Sequence, residues 1–127
     1  MIKPATLILI GYWSSDQEPQ WPDPTDLVDR DWDEDERFAV HGYLRHGLLA
    51  RAYLGPSQCR ICGEHVGNEE LTDGIYIWPE GLAHYIRNHH VRLPAEFVEH
   101  VKRRDAERDA IVVGTDWWQS KAGGGRP

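Results

Sequence analysis

Apolar and polar positions alternate along this chain in short blocks, each bounded by proline, glycine or aspartate. The first block, Ala5 to Ile10, is a six-residue apolar run rich in β-branched and aliphatic side chains, and it predicts a buried strand. A Pro/Asp-rich stretch, residues 14–26, reads as a surface loop. Beyond it, Asp33 is placed to cap a helix that begins near Glu34, carries acids in its first turn and stops before Gly47. Phe38 and Leu44 are the residues expected to face inward from it. "LLARAYLG" then alternates as a strand ending at Gly55-Pro56.

The second half is patterned more sharply. A polar loop carrying Gly67-Asn68 precedes "EELTDGIYIW", which reads as a hairpin turning at Asp73-Gly74, with Trp78 in the core. Pro79 suits the first position of a helix through "EGLAHYIRN". A further helix is expected from Pro94, burying Phe97, Val98 and Val101. "AIVVGTDWW" is expected to return as a last strand, and residues 121–127 to form a loose tail. The sum is a small α+β domain over residues 1–120, with a finger-like knuckle, hairpin and helix at about 48–104 and an N-terminal strand and helix before them.

Charge narrows the function classes. The net charge is −7, so diffuse attraction to nucleic acid or to an anionic membrane is not expected. Residues 1–56 hold ten Asp/Glu against five Lys/Arg, which concentrates the acid N-terminally and suits a basic protein partner. No apolar run approaches the ~20 residues that span a bilayer. Without an export signal the expected compartment is the cytoplasm, where a structural disulfide is not expected.

The chain's only cysteines, Cys59 and Cys62, stand as a CxxC in "GPSQCRICG". After 21 intervening residues come His84 and His89, so the order is knuckle, hairpin, helix, and the layout is that of a two-Cys-two-His site for one structural zinc ion. The link between the pairs exceeds the ~12 residues of the usual finger. Two residues five apart on an α-helix point about 140° apart, so a regular helix should not aim both histidines at one metal. A helix broken at Asn88 would let His89 swing back. His90 is the alternative to His89 and stands next in line to replace it, whereas nothing on the helix replaces His84. His65 lies near the knuckle and is a further substitute. His41, His46 and His100 read as ordinary surface or partly buried side chains.

"CRICG", "ELTDG", "IYIWPEGLAHYI" and "VRLP" together resemble a family of small uncharacterised bacterial proteins with this two-Cys-two-His pattern. The resemblance covers roughly residues 40–102. It implies a ββα core with Cys59, Cys62, His84 and one of His89 or His90 as ligands, and it implies no activity.

Three functions compete. The leading expectation is a non-enzymatic interaction module that presents an acidic, Trp-bearing N-terminal face to a protein. A nucleic-acid-associated finger would instead use aromatics with Arg87, Arg92 and Lys102. Its helix start, Pro79 to Ala83, offers no base-reading side chain, so sequence-specific duplex binding is not expected. A zinc hydrolase or nuclease would need an open coordination position beside Glu64, Glu80 or Asp73. The alternating acids Asp29, Asp31, Asp33 and Asp35 mimic a calcium loop, but Glu34 and Val40 occupy its glycine and glutamate positions. Helix capping explains them better.

Overall fold

A computed structural model describes residues 6–123, the side chains of 53–56 and 123 excepted. Four strands form one mixed sheet in the order β1-β4-β3-β2, where β1 is Ile8–Leu9, β2 Leu48–Gln58, β3 His65–Thr72 and β4 Tyr76–Pro79. β1 runs parallel to β4, and the other pairs are antiparallel. Helices α1 (Glu34–Arg45), α2 (Leu82–His89), α3 (Ala95–Asp109) and α4 (Asp116–Gly123) complete an α+β architecture. Among the described residues, no helix is long and apolar enough to cross a membrane.

The α1 cap is as expected: the Asp33 carboxylate accepts from the Glu36 amide at 2.9 Å, with Glu34, Asp35 and Glu36 in the positive first turn. Its inward stripe is Arg37, Val40 and Leu44, spaced three and four apart as one helical face demands. Phe38 lies one residue, about 100° of helix rotation, off that stripe and is 47% exposed. Phe38 therefore does not face inward as its hydrophobicity suggested. The buried place goes to Arg37, whose Nη1 donates to the carbonyls of Ile86 (3.3 Å) and Arg87 (2.8 Å). A cation there satisfies carbonyls at the negative end of α2, so two helices are locked by one charged side chain.

Trp78, Leu82, Ile86, Phe97, Val101, Val40 and Leu44 share one buried core with Cys59. Trp78 is fully buried and gives its indole N–H to the Leu44 carbonyl at 3.1 Å, which answers the polar demand of an enclosed tryptophan. From α3, Phe97, Val98 and Val101 are buried as expected, and His100 joins them.

Several boundaries differ from the sequence reading. β1 is short and its side chains are half exposed, because an edge strand with a single neighbour covers little; Ala5 lies outside the described residues. β2 does not stop at Gly55-Pro56 but runs to Gln58, and the Gly67-Asn68 segment is strand rather than loop. β2 and β3 are thus one long hairpin whose turn is the CxxC segment. Pro79 closes β4, and α2 starts at Leu82.

Residues 111–115 form no strand, and 116–123 are helical, so part of the expected tail lies in α4; 124–127 fall outside the described residues. β-Branched residues make a strand only beside a partner strand, and Ile111, Val112 and Val113 are exposed instead.

Candidate metal centre

The β2–β3 turn is a tight knuckle. The Cys59 amide donates to the Glu64 carbonyl, and the Gly63 amide returns to the Cys59 carbonyl, both at 2.8 Å. The Ile61 amide points at the Cys59 sulfur at 3.4 Å. Cys59 is buried and Cys62 exposed, and both are free cysteines. The knuckle is docked on α2 by the Arg60 amide, which donates to the Tyr85 hydroxyl at 2.7 Å, and on the N-terminal segment by Arg60 Nη1 to the Ser14 carbonyl at 2.6 Å.

Cys59, Cys62, His84 and His89 each place a donor atom so that all four lie within 4.8 Å of one another. The two imidazole centroids are 5.0 Å apart, although both residues belong to a continuous helix. On a helical wheel, Asn88 and Tyr85 fall at about 40° and 100° between His84 at 0° and His89 at 140°. The knuckle sits over that arc, bonded to Tyr85, and the histidines reach in from its two sides. A break at Asn88 is therefore not needed, and Asn88 stays helical.

The left-handed residue is His90, at φ 53°, which caps α2. Its carbonyl accepts from the Asp29 amide at 2.9 Å, beside the Val28–Val91 bridge. That anchoring holds His90 outside the cluster.

Two details suit this donor set to a cation. His89 Nε2 is buried with no hydrogen-bond partner, an arrangement that costs free energy unless something binds there. His84 presents Nε2 to the Cys62 sulfur at 3.3 Å and Nδ1 toward the Glu64 carboxylate at 3.8 Å. A carboxylate behind a ligating imidazole fixes its orientation and tautomer.

The titration behaviour agrees. Desolvation, then the neighbouring His84, holds His89 below its ordinary value, which favours the neutral, ligating imidazole. At Cys62 a backbone hydrogen bond from Glu64 works to lower the thiol. Desolvation, the Cys59 sulfur and the Glu64 carboxylate outweigh it and push the thiol up. A cation bound between the sulfurs would reverse that shift, since a coordinated thiol is deprotonated.

The hairpin meets α2 at two close contacts. Gly67, at φ +118°, lies directly under the Glu80 carboxylate, which accepts from the Asn68 amide at 3.0 Å, and Gly81 packs against Val66. Gly67→Ala is expected to destabilise by at least about 1–3 kcal/mol, from backbone strain and the displaced Glu80. Denaturant midpoints of the variant and wild type measure it; equal midpoints would mean β3 tolerates a side chain there.

The other candidates sit elsewhere. His65 is exposed at the head of β3, and His46 turns back on the Gly42 carbonyl at 2.6 Å. His100 is not a surface residue: its Nε2 is 2.7 Å from the Asp73 carboxylate, which also accepts from the Tyr43 hydroxyl at 2.5 Å. Asp73 and Glu80 are thus tied to structural partners, and only Glu64 among the three proposed carboxylates adjoins the cluster. The alternating acids do not gather round an ion site, since Asp29 pairs with Arg92 and Asp33 caps α1. Tyr85 and Glu64, which the sequence reading gave no supporting part, are the cluster's scaffold. The tyrosine's place on the helix face between the histidines was the signal available.

Compared with family profiles, with curated proteins and with solved structures, the chain matches none of them.

Proposed function

We infer that Cys59, Cys62, His84 and His89 bind one structural zinc ion, and that the protein is a non-enzymatic interaction module held together by it. The observation that carries this reading is the convergence of two sulfurs and two imidazoles within 4.8 Å, one of them bearing the unpartnered buried Nε2 of His89. Thiolates with imidazoles select zinc, and a tetrahedral shell of Zn–S and Zn–N bonds has edges of about 3.5 Å. The 3.3 Å between Cys62 and His84 is of that size. Four protein donors fill the shell and leave no position for a reacting water, which favours a structural role over a hydrolytic one.

The partner surface is supported at the C-terminal end rather than by N-terminal tryptophans. Trp32 is buried, and Trp13 packs edge-on against Tyr85 at 5.3 Å. Trp117 and Trp118 are 69% and 72% exposed and stack on each other, following exposed Ile111, Val112 and Val113. Exposed apolar surface of this kind favours protein contact, and the net charge of −7 suits a basic partner. The nucleic-acid reading loses two of its three cations, because Arg92 pairs with Asp29 and Lys102 with Glu36 and Glu99.

Protein purified without chelator should carry about one zinc per chain, and Cys59→Ser or Cys62→Ser should strip it. Elemental analysis that finds no zinc in the wild type would sink the metal assignment. For the interaction, in-cell crosslinking should give a discrete protein adduct that the folded double variant Trp117→Ala/Trp118→Ala loses. Identical adducts from both would remove that surface from the reading.

A further inference from the structure

A cleft of about 400 Å³ lies where α1 and α2 meet β3, its polar lining being His41, Arg45, Glu80, His84, Arg87 and Asn88. His41 and Arg45 are four residues apart on α1 and so share a face. Arg87 and Asn88 come from the last turn of α2. The cleft therefore collects cations from two helices in a chain whose net charge is −7.

Among the described residues most of the other cations have partners, Arg30 excepted. Arg51 pairs with Glu70, Arg92 with Asp29, Lys102 with Glu36, and Arg108 with Asp105. Among the described residues, Arg45 and Arg87 have neither a carboxylate nor a carbonyl partner for their guanidinium groups. Glu80, the cleft's one acid, is held at the rim by the Asn68 amide. The fields of Arg87, Arg45 and Arg37 all act on His41 and, together with burial as the largest cause, hold its imidazole below the usual value.

A simpler account is that arginines near helix C-termini favour the helix dipole. It explains each arginine alone. It does not explain why both line one cleft whose single carboxylate, Glu80, is engaged by the Asn68 amide. Two of the carbonyls at the end of α2 that would repel an anion, those of Ile86 and Arg87, are taken up by buried Arg37.

We propose that this cleft binds the phosphate group of a small phosphate monoester, with Arg45 and Arg87 as the anion clamp and His41 and Asn88 as further donors. Guanidinium forks match phosphate oxygens two at a time. The volume lies in the range of small-ligand sites, so it holds a phosphate with a short organic body. Its described lining holds no Phe, Tyr or Trp, and its only aromatic rings are the imidazoles of His41 and His84, so it offers no broad stacking platform for a nucleobase. The chain's overall negative charge disfavours a polyanion that would cover more of the surface.

The site goes beyond the zinc-module reading, and its test does not depend on it. The full chain as purified is titrated with inorganic phosphate and with ribose 5-phosphate while amide shifts are recorded by NMR. Saturable shifts at residues 41, 45, 87 and 88 are expected. Arg45→Gln and Arg87→Gln should each weaken binding at least tenfold, with partial rescue by Arg→Lys. Lys102→Gln, whose wild-type lysine is already paired elsewhere, should bind like wild type. Melting temperature and zinc content of each variant, unchanged from wild type, separate loss of the site from loss of the fold. No saturating shift, or shifts indifferent to both arginine substitutions, overturns the proposal. Tighter binding of an oligonucleotide than of the monoester through the same arginines also overturns it, in favour of a polynucleotide surface.

Discussion

Chelation, or Cys59→Ser, is expected to abolish the cooperative melt of residues 57–92 and to lower the stability of the rest. Structural zinc in finger peptides contributes apparent binding energies of about 10–16 kcal/mol at neutral pH, as large as the ~5–15 kcal/mol stability of a whole domain. Here the proposed ion ties the β2–β3 turn to α2, and Cys59 is itself part of the core shared with Trp78 and Phe97. Losing the tie frees the knuckle from one side of that core. His84→Ala and His89→Ala should each melt on the order of 10 °C or more below wild type, and neither should respond further to chelator.

His90→Ala should behave differently, retaining full chelator sensitivity. The sequence had suggested that His90 could replace His89 and soften its loss. The cap at φ 53° and the Asp29 bond make that substitution require rebuilding the end of α2. Thermal melts of the three variants, each with and without chelator, measure this. A His89→Ala protein that melts like wild type and still loses stability to chelator would remove His89 from the ligand set.

What could be read in advance follows from how local each signal is. The Asp33 cap, the Asp73-Gly74 turn and the start of α3 at Pro94 are decided within a few residues, and each appears where it was expected. The four clustered residues were legible because donor chemistry and spacing are written in the sequence. Their geometry was not, because the wheel argument considered α2 alone. It omitted the knuckle that lies across the arc between the two histidines. Phe38 was expected to face inward, and Arg37 takes that place for a comparable reason. The demand for a cation at Arg37 arises on another helix, some fifty residues away. The failed strand at Ile111–Val113 lacks a neighbouring strand, which no local pattern reveals.

Asp73→Ala is the second substitution expected to have a large effect, about 3–5 kcal/mol, because several buried donors lose their shared acceptor at about 1–3 kcal/mol each. One oxygen of Asp73 accepts from the amides of Ile75 and Tyr76 at 2.9 and 2.8 Å and sets the hairpin turn. The other accepts from Tyr43 of α1 and pairs with His100 of α3. A single carboxylate thus fixes the β3–β4 turn and joins it to two helices. Both ion-pair side chains are more than nine-tenths buried, so alanine would leave an imidazole and a hydroxyl without their acceptor.

Burial alone would raise the Asp73 carboxyl. Hydrogen bonds from Tyr43, the Tyr76 amide, His100 and the Ile75 amide outweigh it and hold the group below the ordinary 3.8. A carboxyl whose folded pKa is depressed contributes stability that is fully present above the unfolded value and is lost as pH falls through the folded one. Wild type should therefore lose stability below about pH 4. Asp73→Asn keeps an oxygen for the turn but carries no charge, and its stability should fall less steeply over the same interval. Denaturant titrations of wild type, Asp73→Asn and Asp73→Ala from neutral pH to pH 3 separate the two contributions. An alanine variant within about 1 kcal/mol of wild type, or parallel acid limbs for wild type and Asp73→Asn, would mean that the turn and the helices are held together by something other than this carboxylate.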